Sequence, residues 1–357
     1  MRSRDSWKKI SVVRWSALAI MTTVCIGACG RSGDPPVDVD SSSKVTEADR
    51  SHAHPVTVSG VSSGGYMAVQ THVALADRVA GVGVVAGGPY HCAAGNVGNA
   101  LGRCMSGDDL DVVPLVSFTR EAAASGRIAA TEFLREAKVW IFQSAKDQIV
   151  GRGVAVALAD FYREFLSASQ IRFVDDIDAA HGWPTLDAGN DCLEIGGDFI
   201  NSCEFDTAGN LLNHLYENLN PRAVETGNEE LTSIDLSGYL ESGSGVADTG
   251  YIFVPNKCRQ LEADCRLHIS FHGCRQGAEF VDDRFAANSG LNEWAAPNRI
   301  VVVYPQIVSS LVNPQGCWDW WGYTGPQYDQ KSGKQLSGID AIITAFAKQQ
   351  LYQSNAE

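Results

Sequence analysis

Basic side chains are few, 28 against 42 acidic ones in 357 residues, and no C-x-x-C pair occurs. Internal repeats are missing, and so is any long apolar run beyond the one at the amino end. Each shortage excludes something. A net charge of −14 argues against nucleic acid and anionic polymers as partners, because binding a phosphate backbone takes a surplus of Lys and Arg. Neutral substrates remain open. No cysteine or histidine spacing supports a metal site, and no metal or organic cofactor is expected.

What is present begins with an export signal. Arg2, Arg4, Lys8 and Lys9 precede an apolar run over 10–28, broken by Arg14, that stops at Ile26-Gly27-Ala28-Cys29. Small residues before a cysteine resemble a bacterial lipobox, with 1–29 as signal and Cys29 as the lipidated first residue of the mature chain. An ordinary secretory signal cut nearby, or an uncleaved anchor, would also export the protein. The expected location is therefore a bacterial membrane, on its periplasmic or cell-surface side through a lipid anchor, or the medium. Removing the five basic residues and one acidic residue of 1–29 takes the charge from −14 to −18.

Residues 30–53 are rich in Ser, Asp, Pro and Gly without apolar periodicity, and read as a flexible tether. The fold should begin near His54 and run as one catalytic domain over 54–357. Leaving out Cys25 and Cys29, eight cysteines fall into sequence-close pairs: Cys92 and Cys104, Cys192 and Cys203, Cys258 and Cys265, Cys274 and Cys317. An even count in an exported chain suggests disulfides, and spacing favours the neighbours.

Apolar runs over 79–86 and 137–143 have the continuous character of strands buried on both faces of a parallel sheet, and a third strand is read over 171–177. Helical spacing is read over 153–166 and 211–219, the latter stopping before Pro221. From 222 to 249 the chain is polar and Gly/Ser-rich, a connector or surface excursion. Strands resume at 250–254, 267–272 and 300–304, and 338–352 has helical spacing.

The most informative stretch is Val56-Thr57-Val58-Ser59-Gly60-Val61-Ser62-Ser63-Gly64-Gly65-Tyr66-Met67-Ala68. A short strand enters G-x-S-x-G and leaves as a helix over about 65–76, which is the setting of a nucleophile elbow. Ser62 would be the nucleophile, and the Ser63 amide a donor to an oxyanion. A serine at an elbow needs a base, and the base an orienting acid. His181 follows the 171–177 strand in Ala180-His181-Gly182-Trp183-Pro184, and Asp147 follows the 137–143 strand. Functional residues gather at the carboxyl ends of such strands, and the order Ser, Asp, His is that of α/β-hydrolases. Asp175, Asp176 and Asp178 could orient His181 in principle, but they are too close in sequence to approach its ring from behind without a tight turn. His72 sits inside the elbow helix, where packing or solvation is the expectation.

One feature departs from an ordinary hydrolase: only the tether precedes the elbow. The strand ending in a His-Gly loop comes later, in Leu267-His268-Ile269-Ser270-Phe271-His272-Gly273-Cys274-Arg275-Gln276-Gly277, followed by a helical stretch over 284–296 and the strand at 300–304. A circular permutation of an α/β-hydrolase fold with a mostly parallel sheet reconciles this, with 222–249 joining the old ends. The Cys274 amide would then complete the oxyanion hole, and a Cys274–Cys317 bridge would fix the loop against Cys317-Trp318-Asp319-Trp320-Trp321-Gly322-Tyr323.

Together, Gly60-Val61-Ser62-Ser63-Gly64-Gly65-Tyr66-Met67, Ala180-His181-Gly182-Trp183-Pro184-Thr185, His272-Gly273-Cys274-Arg275-Gln276 and Gly316-Cys317-Trp318-Asp319-Trp320-Trp321-Gly322-Tyr323 resemble the extracellular poly(3-hydroxybutyrate) depolymerases. They resemble most those with the lipase box near the amino end and a permuted catalytic domain. The resemblance spans about 54–351. It implies Ser62, Asp147 and His181 as catalytic triad, Ser63 and Cys274 as oxyanion donors, and a polyester or oligoester substrate. An aromatic residue among Trp318, Trp320, Trp321 and Tyr323 is implied to line the hydroxyacyl subsite, although tryptophans beside a disulfide also suit a packed core. Depolymerases that attack crystalline granules usually carry a linker and a polymer-binding domain after the catalytic one, and this sequence shows neither, so soluble oligomers are equally expected. Rivals are a feruloyl or acetyl-xylan esterase with the same triad, a peptidase or acyltransferase, and a non-catalytic cell-surface binding lipoprotein.

Overall fold

Val56–Val61 (β1) is buried along its whole length, as its run of β-branched and small residues requires of a strand with neighbours on both edges. The chain is represented by a computed structural model that describes residues 56–226, 229–260 and 263–351. The expected signal at 1–29, the tether at 30–53 and the Cys29 lipidation site fall outside the described residues.

The main sheet has eight strands. After β1 come Val79–Val85 (β2), Lys138–Phe142 (β3), Ile171–Val174 (β4), Leu231–Asp235 (β5), Thr249–Phe253 (β6), Arg266–Phe271 (β7) and Ile300–Tyr304 (β8). They lie side by side in the order β4-β3-β2-β1-β7-β8-β6-β5. Neighbours from β4 to β8 are parallel, and β6 runs antiparallel to both β8 and β5. Beginning the count at β5 and passing from β8 to β1 turns this order into 1-2-4-3-5-6-7-8 with only the second strand reversed. That is an α/β-hydrolase sheet whose chain has been cut and rejoined, as the displaced His-Gly loop predicts.

The polar segment 222–249 is more than a connector. It contains β5, an edge strand in which only Ile234 is buried, and exposure on both faces leaves no apolar run to read. The predicted helix over 284–296 is two pieces, Arg284–Asn288 and Leu291–Asn298, interrupted at Gly290 with φ 81°. The remaining helices are Ser63–Ala74 (α1), Val113–Ala124 (α2), Arg152–Arg163 (α3), Thr207–Leu215 (α4), Leu291–Asn298 (α5) and Lys334–Ala347 (α6), besides shorter turns. α2 was not anticipated, although Pro114 in its first turn is a helix-start signal.

Alternate strand residues feed two cores. Val82, Val84, Val139, Ile141, Leu267 and Ile269 join the core shared with α1, α3 and α6, whereas Val85, Trp140, Phe142, Val302 and Tyr304 join the one shared with α4 and α5. Every residue of α1 is buried, so the elbow helix is embedded rather than amphipathic. Its polar Gln70 donates to the Asp319 carbonyl at 2.9 Å, and its His72 meets the Tyr162 hydroxyl through Nδ1 at 2.8 Å while Nε2 is buried without a partner among the described residues.

Disulfides join Cys92 to Cys104, Cys192 to Cys203, Cys258 to Cys265 and Cys274 to Cys317, the sequence neighbours in each case. Such bonds persist in oxidising, extracytoplasmic compartments. Among the described residues no helix is long and apolar enough to cross a membrane.

Candidate active site

The elbow is sterically determined. Ser62 has φ 57° and ψ −123°, a conformation that costs on the order of 1–3 kcal/mol for a residue with a side chain and persists only where its surroundings impose it. Here they do. A β-carbon on Gly60 would lie 2.1 Å from the Gly64 carbonyl oxygen, and one on Gly64 would lie 2.2 Å from that of Phe271. Neither position admits another residue, so the strand turns into α1 with Ser62 at the bend.

The carboxyl ends of parallel strands share one edge of the sheet, and this brings the other groups near. His181 Nδ1 meets Asp147 Oδ2 at 2.8 Å, with both side chains almost wholly buried. The Asp147 carboxylate is held from behind by the amides of Ile149 and Val150, at 2.8 and 2.9 Å to Oδ1, and by Gln143 Nε2 at 3.3 Å to Oδ2. These bonds fix its orientation. The acid loop and the base loop are also tied to each other, because Ser144 Oγ accepts the Ala179 amide at 2.9 Å. Asp175 pairs with Arg152 instead, and Asp178 lies 3.9 Å from Lys146, so neither is the partner of His181.

The His-Gly loop closes the arrangement. A β-carbon on Gly273 would lie 3.4 Å from that of Ser62, so the loop runs against the elbow. Amides on either side of Cys274 are occupied: Gly273 N–H donates to Gln276 Oε1 and Arg275 N–H to the Gln315 carbonyl, each at 2.7 Å. The Cys274 amide has no acceptor among the described residues. Neither does that of Ser63, which opens α1 and so belongs to the turn whose N–H groups lack intrahelical partners. Two uncommitted amides therefore flank Ser62, and the positive end of α1 adds to the attraction for negative charge there. The Cys274–Cys317 bridge secures the loop, and Trp318 N–H donates to Ser63 Oγ at 3.3 Å.

The four aromatic candidates separate. Trp318 is fully buried, edge-on to Phe271 at 4.8 Å between centroids, and belongs to the core; its expected place in the subsite is corrected accordingly. Trp320 stacks on Tyr66 at 4.3 Å and is 7% exposed. Trp321 and Tyr323 are partly exposed and lie 5.0 Å apart, with the Tyr323 hydroxyl bonded to Asn313, Gln335 and the Cys317 carbonyl. The turn that carries them is wound about Asp319, a buried carboxylate accepting the amides of Trp321, Gly322, Tyr323 and Thr324 and the Thr324 hydroxyl. Burial nevertheless pushes its carboxyl up. Asp319 and Gln276 escaped sequence reasoning; a carboxylate followed by Gly322 within an aromatic run was the available turn signal for the first.

Other histidines have structural partners. Burial lowers His72 and His268 to about 3 and His272 to about 4. His91 faces Asp329 at 2.5 Å, and His214 bonds the Gln170 carbonyl at 3.0 Å. His52 and His54 fall outside the described residues. Among the described residues no group of side chains could hold a metal ion.

No family model matches the chain. It is 42% identical over 293 residues to the poly(3-hydroxybutyrate) depolymerase of Delftia acidovorans, covering 80% of this chain and 58% of that protein. It is 34% identical over 300 residues to the polyhydroxybutyrate depolymerase of Talaromyces funiculosus, covering 80% of this chain and 87% of that one. The chain thus spans less than two thirds of the bacterial relative and most of the fungal one. Among solved structures, the PHB depolymerase of Penicillium funiculosum superimposes with a TM-score of 0.76 at 33% identity over 82% of this chain and 96% of its own. A PHB depolymerase complexed with an R3HB trimer gives 0.77 at 32% identity, with the same coverage. With its permuted hydrolase sheet, its serine elbow and these relatives, the chain belongs to the polyhydroxybutyrate depolymerase family of carboxylic ester hydrolases.

Proposed function

We propose that this protein hydrolyses poly(3-hydroxybutyrate) or its short oligomers through an acyl-enzyme formed on Ser62. The observation that carries the reading is the buried 2.8 Å contact between His181 and Asp147, on the same edge of the sheet as the strained Ser62 elbow. His181 takes the Ser62 proton as the hydroxyl attacks the ester carbonyl, and Asp147 holds the imidazole in the tautomer with Nδ1 protonated. The amides of Ser63 and Cys274 receive the oxyanion of the tetrahedral intermediate. Collapse expels the alcohol end of the ester with a proton from His181. Water, deprotonated by the same histidine, then releases the 3-hydroxybutyryl group.

The partly exposed Trp321, resting on Tyr323, supplies flat apolar surface for a methyl-bearing polyester, and Trp320 supports it from beneath. A mature chain of charge −18 suits a neutral substrate better than an anionic polymer. Substrate chemistry is supported by the relatives' names and by the R3HB trimer in the neighbouring structure. The mature protein is tethered to a bacterial membrane through lipidated Cys29 and the 30–53 segment. Cys29→Ala should move it from the membrane fraction to the soluble fraction, and continued membrane partitioning would sink the anchor.

Hydrolysis of short 3-hydroxybutyrate oligomers and of amorphous granules by the purified chain, with Ser62→Ala as control, tests the substrate. Release of 3-hydroxybutyrate units that depends on Ser62 is expected. Silence on both, alongside Ser62-dependent cleavage of aryl, feruloyl or acetyl esters, would move the activity to another ester class.

A further inference from the structure

Gln276 is 1% exposed and uses both ends of its amide. Its Oε1 accepts the Gly273 N–H at 2.7 Å. Its Nε2 donates to the carbonyls of Asp198 and Phe199, at 2.9 and 3.1 Å. Those carbonyls belong to a different part of the site. The Phe199 carbonyl also accepts the Trp183 amide at 2.8 Å, two residues after His181, and the Phe199 ring stands edge-on to the His181 imidazole. Phe199 leads into the strand Ile200–Ser202, which pairs with Trp183–Thr185 in a small three-stranded sheet locked by Cys192–Cys203. One side chain therefore spans from the oxyanion loop to the loop that carries the base.

The grip falls on the residue next to the peptide that matters. The Gly273 carbonyl and the Cys274 N–H are two ends of one trans peptide and point in opposite directions. That carbonyl accepts from His272 Nδ1 at 2.7 Å and from the backbone N–H of Gln276 at 3.3 Å. His272 can donate there because its Nε2 is occupied by the Ile307 amide at 3.1 Å. Bonds to the carbonyl polarise the peptide and make its N–H a stronger donor. The Gln276 side chain fixes the N–H of the preceding peptide, so Gly273 is held on both sides of its α-carbon and the plane that carries the Cys274 N–H is restrained through it.

We propose that Gln276 is a positioning residue for catalysis, the strut that holds the Cys274 amide in register with His181. A strut of this kind acts when the oxyanion forms, since donors must stand about 3 Å from where the charge develops and a small displacement is costly there. Substrate binding, which depends on the aromatic side of the cleft, is not its business.

Gln276→Met removes both arms at nearly constant volume. With 4-nitrophenyl butyrate, kcat should fall about 10- to 100-fold while KM stays within about twofold. Affinity for an alkyl trifluoromethyl ketone, whose Ser62 adduct carries the oxyanion, should fall by the same factor. Gln276→Glu keeps the acceptor for Gly273 N–H and loses the donor to Asp198 and Phe199, so its kcat should lie between wild type and Gln276→Met. If the Met variant does not fold, the Glu variant decides: lowered kcat at constant KM upholds the strut, and wild-type kcat overturns it. Unchanged kcat and ketone affinity in folded Gln276→Met would also overturn it, as would a rise in KM alone. The inference rests on the proposed Ser62 chemistry. Wild-type protein that forms no ketone adduct would bring down that chemistry, whereas adducts equally tight in wild type and variant would bring down the strut alone.

Discussion

His181 and His268 are two imidazoles withdrawn from solvent in one sheet protein, and their surroundings give them opposite character. His181 has the Asp147 carboxylate at 2.8 Å on one nitrogen, and its other nitrogen has no protein partner among the described residues. His268 is held by hydroxyls on both sides, Thr57 Oγ1 at 2.7 Å and Ser59 Oγ at 2.8 Å, deep between β1 and β7, and burial lowers it to about 3. A countercharge behind and a free nitrogen in front suit a group that must gain and lose a proton. Two neutral hydroxyls and no countercharge suit one that must never be protonated. Burial alone therefore does not distinguish a base from a brace; the partners do.

The widest separation between the two kinds of site should appear in kinetics. Ser62→Ala and His181→Ala should each lower kcat/KM for esters by about 10⁴-fold or more while the thermal midpoint stays near wild type. Retained turnover in either would break the assignment. Asp147→Asn comes next, with a loss of about 10³- to 10⁴-fold, because the amide leaves the geometry but favours the wrong tautomer. Full activity there would move the acid elsewhere.

The buried histidines should reveal themselves in stability instead. His72, His268 and His272 are lowered to about 3, 3 and 4 in the native state, against about 6.5 in an unfolded chain. Between those values the unfolded chain binds protons that the native protein refuses. Stability should be level above pH 6.5 and fall as pH drops towards 4, by about 2 kcal/mol per histidine at pH 5. Asp319, pushed up by burial, acts with the opposite sign in the carboxylate range. Urea midpoints at pH 7.5, 6 and 5 measure this, and a level profile would contradict it. Smallest of all, the Cys274→Ser/Cys317→Ser pair should cost about 2–4 kcal/mol of stability, read as a lowered midpoint in oxidised protein.

Much of the site was legible because it depends on local geometry. Gly60 and Gly64 flank Ser62 where a β-carbon would strike the Gly64 carbonyl and the Phe271 carbonyl, and Asp147 and His181 each follow a strand, buried in the first case and at the sheet edge in the second. The permutation was legible for the same reason, since His272-Gly273 ends a strand wherever that strand falls in the chain. What was hidden has no local signature. β5 exposes both faces, so no periodicity marks it. Trp318 suits a subsite or a packed core on sequence alone, and its place against Phe271 depends on packing between distant segments. Gln276 is three residues from Gly273 in sequence but 78 and 77 from its other partners, and no pattern in the chain announces that meeting.

The most direct test of the central claim is to mark the nucleophile. The full chain would be treated with an alkyl fluorophosphonate, digested, and read by mass spectrometry. One phosphonyl group on Ser62 is expected, absent in Ser62→Ala and formed far more slowly in His181→Ala. A group on Ser63, or none at all on folded protein, would contradict the nucleophile that every step of the mechanism requires.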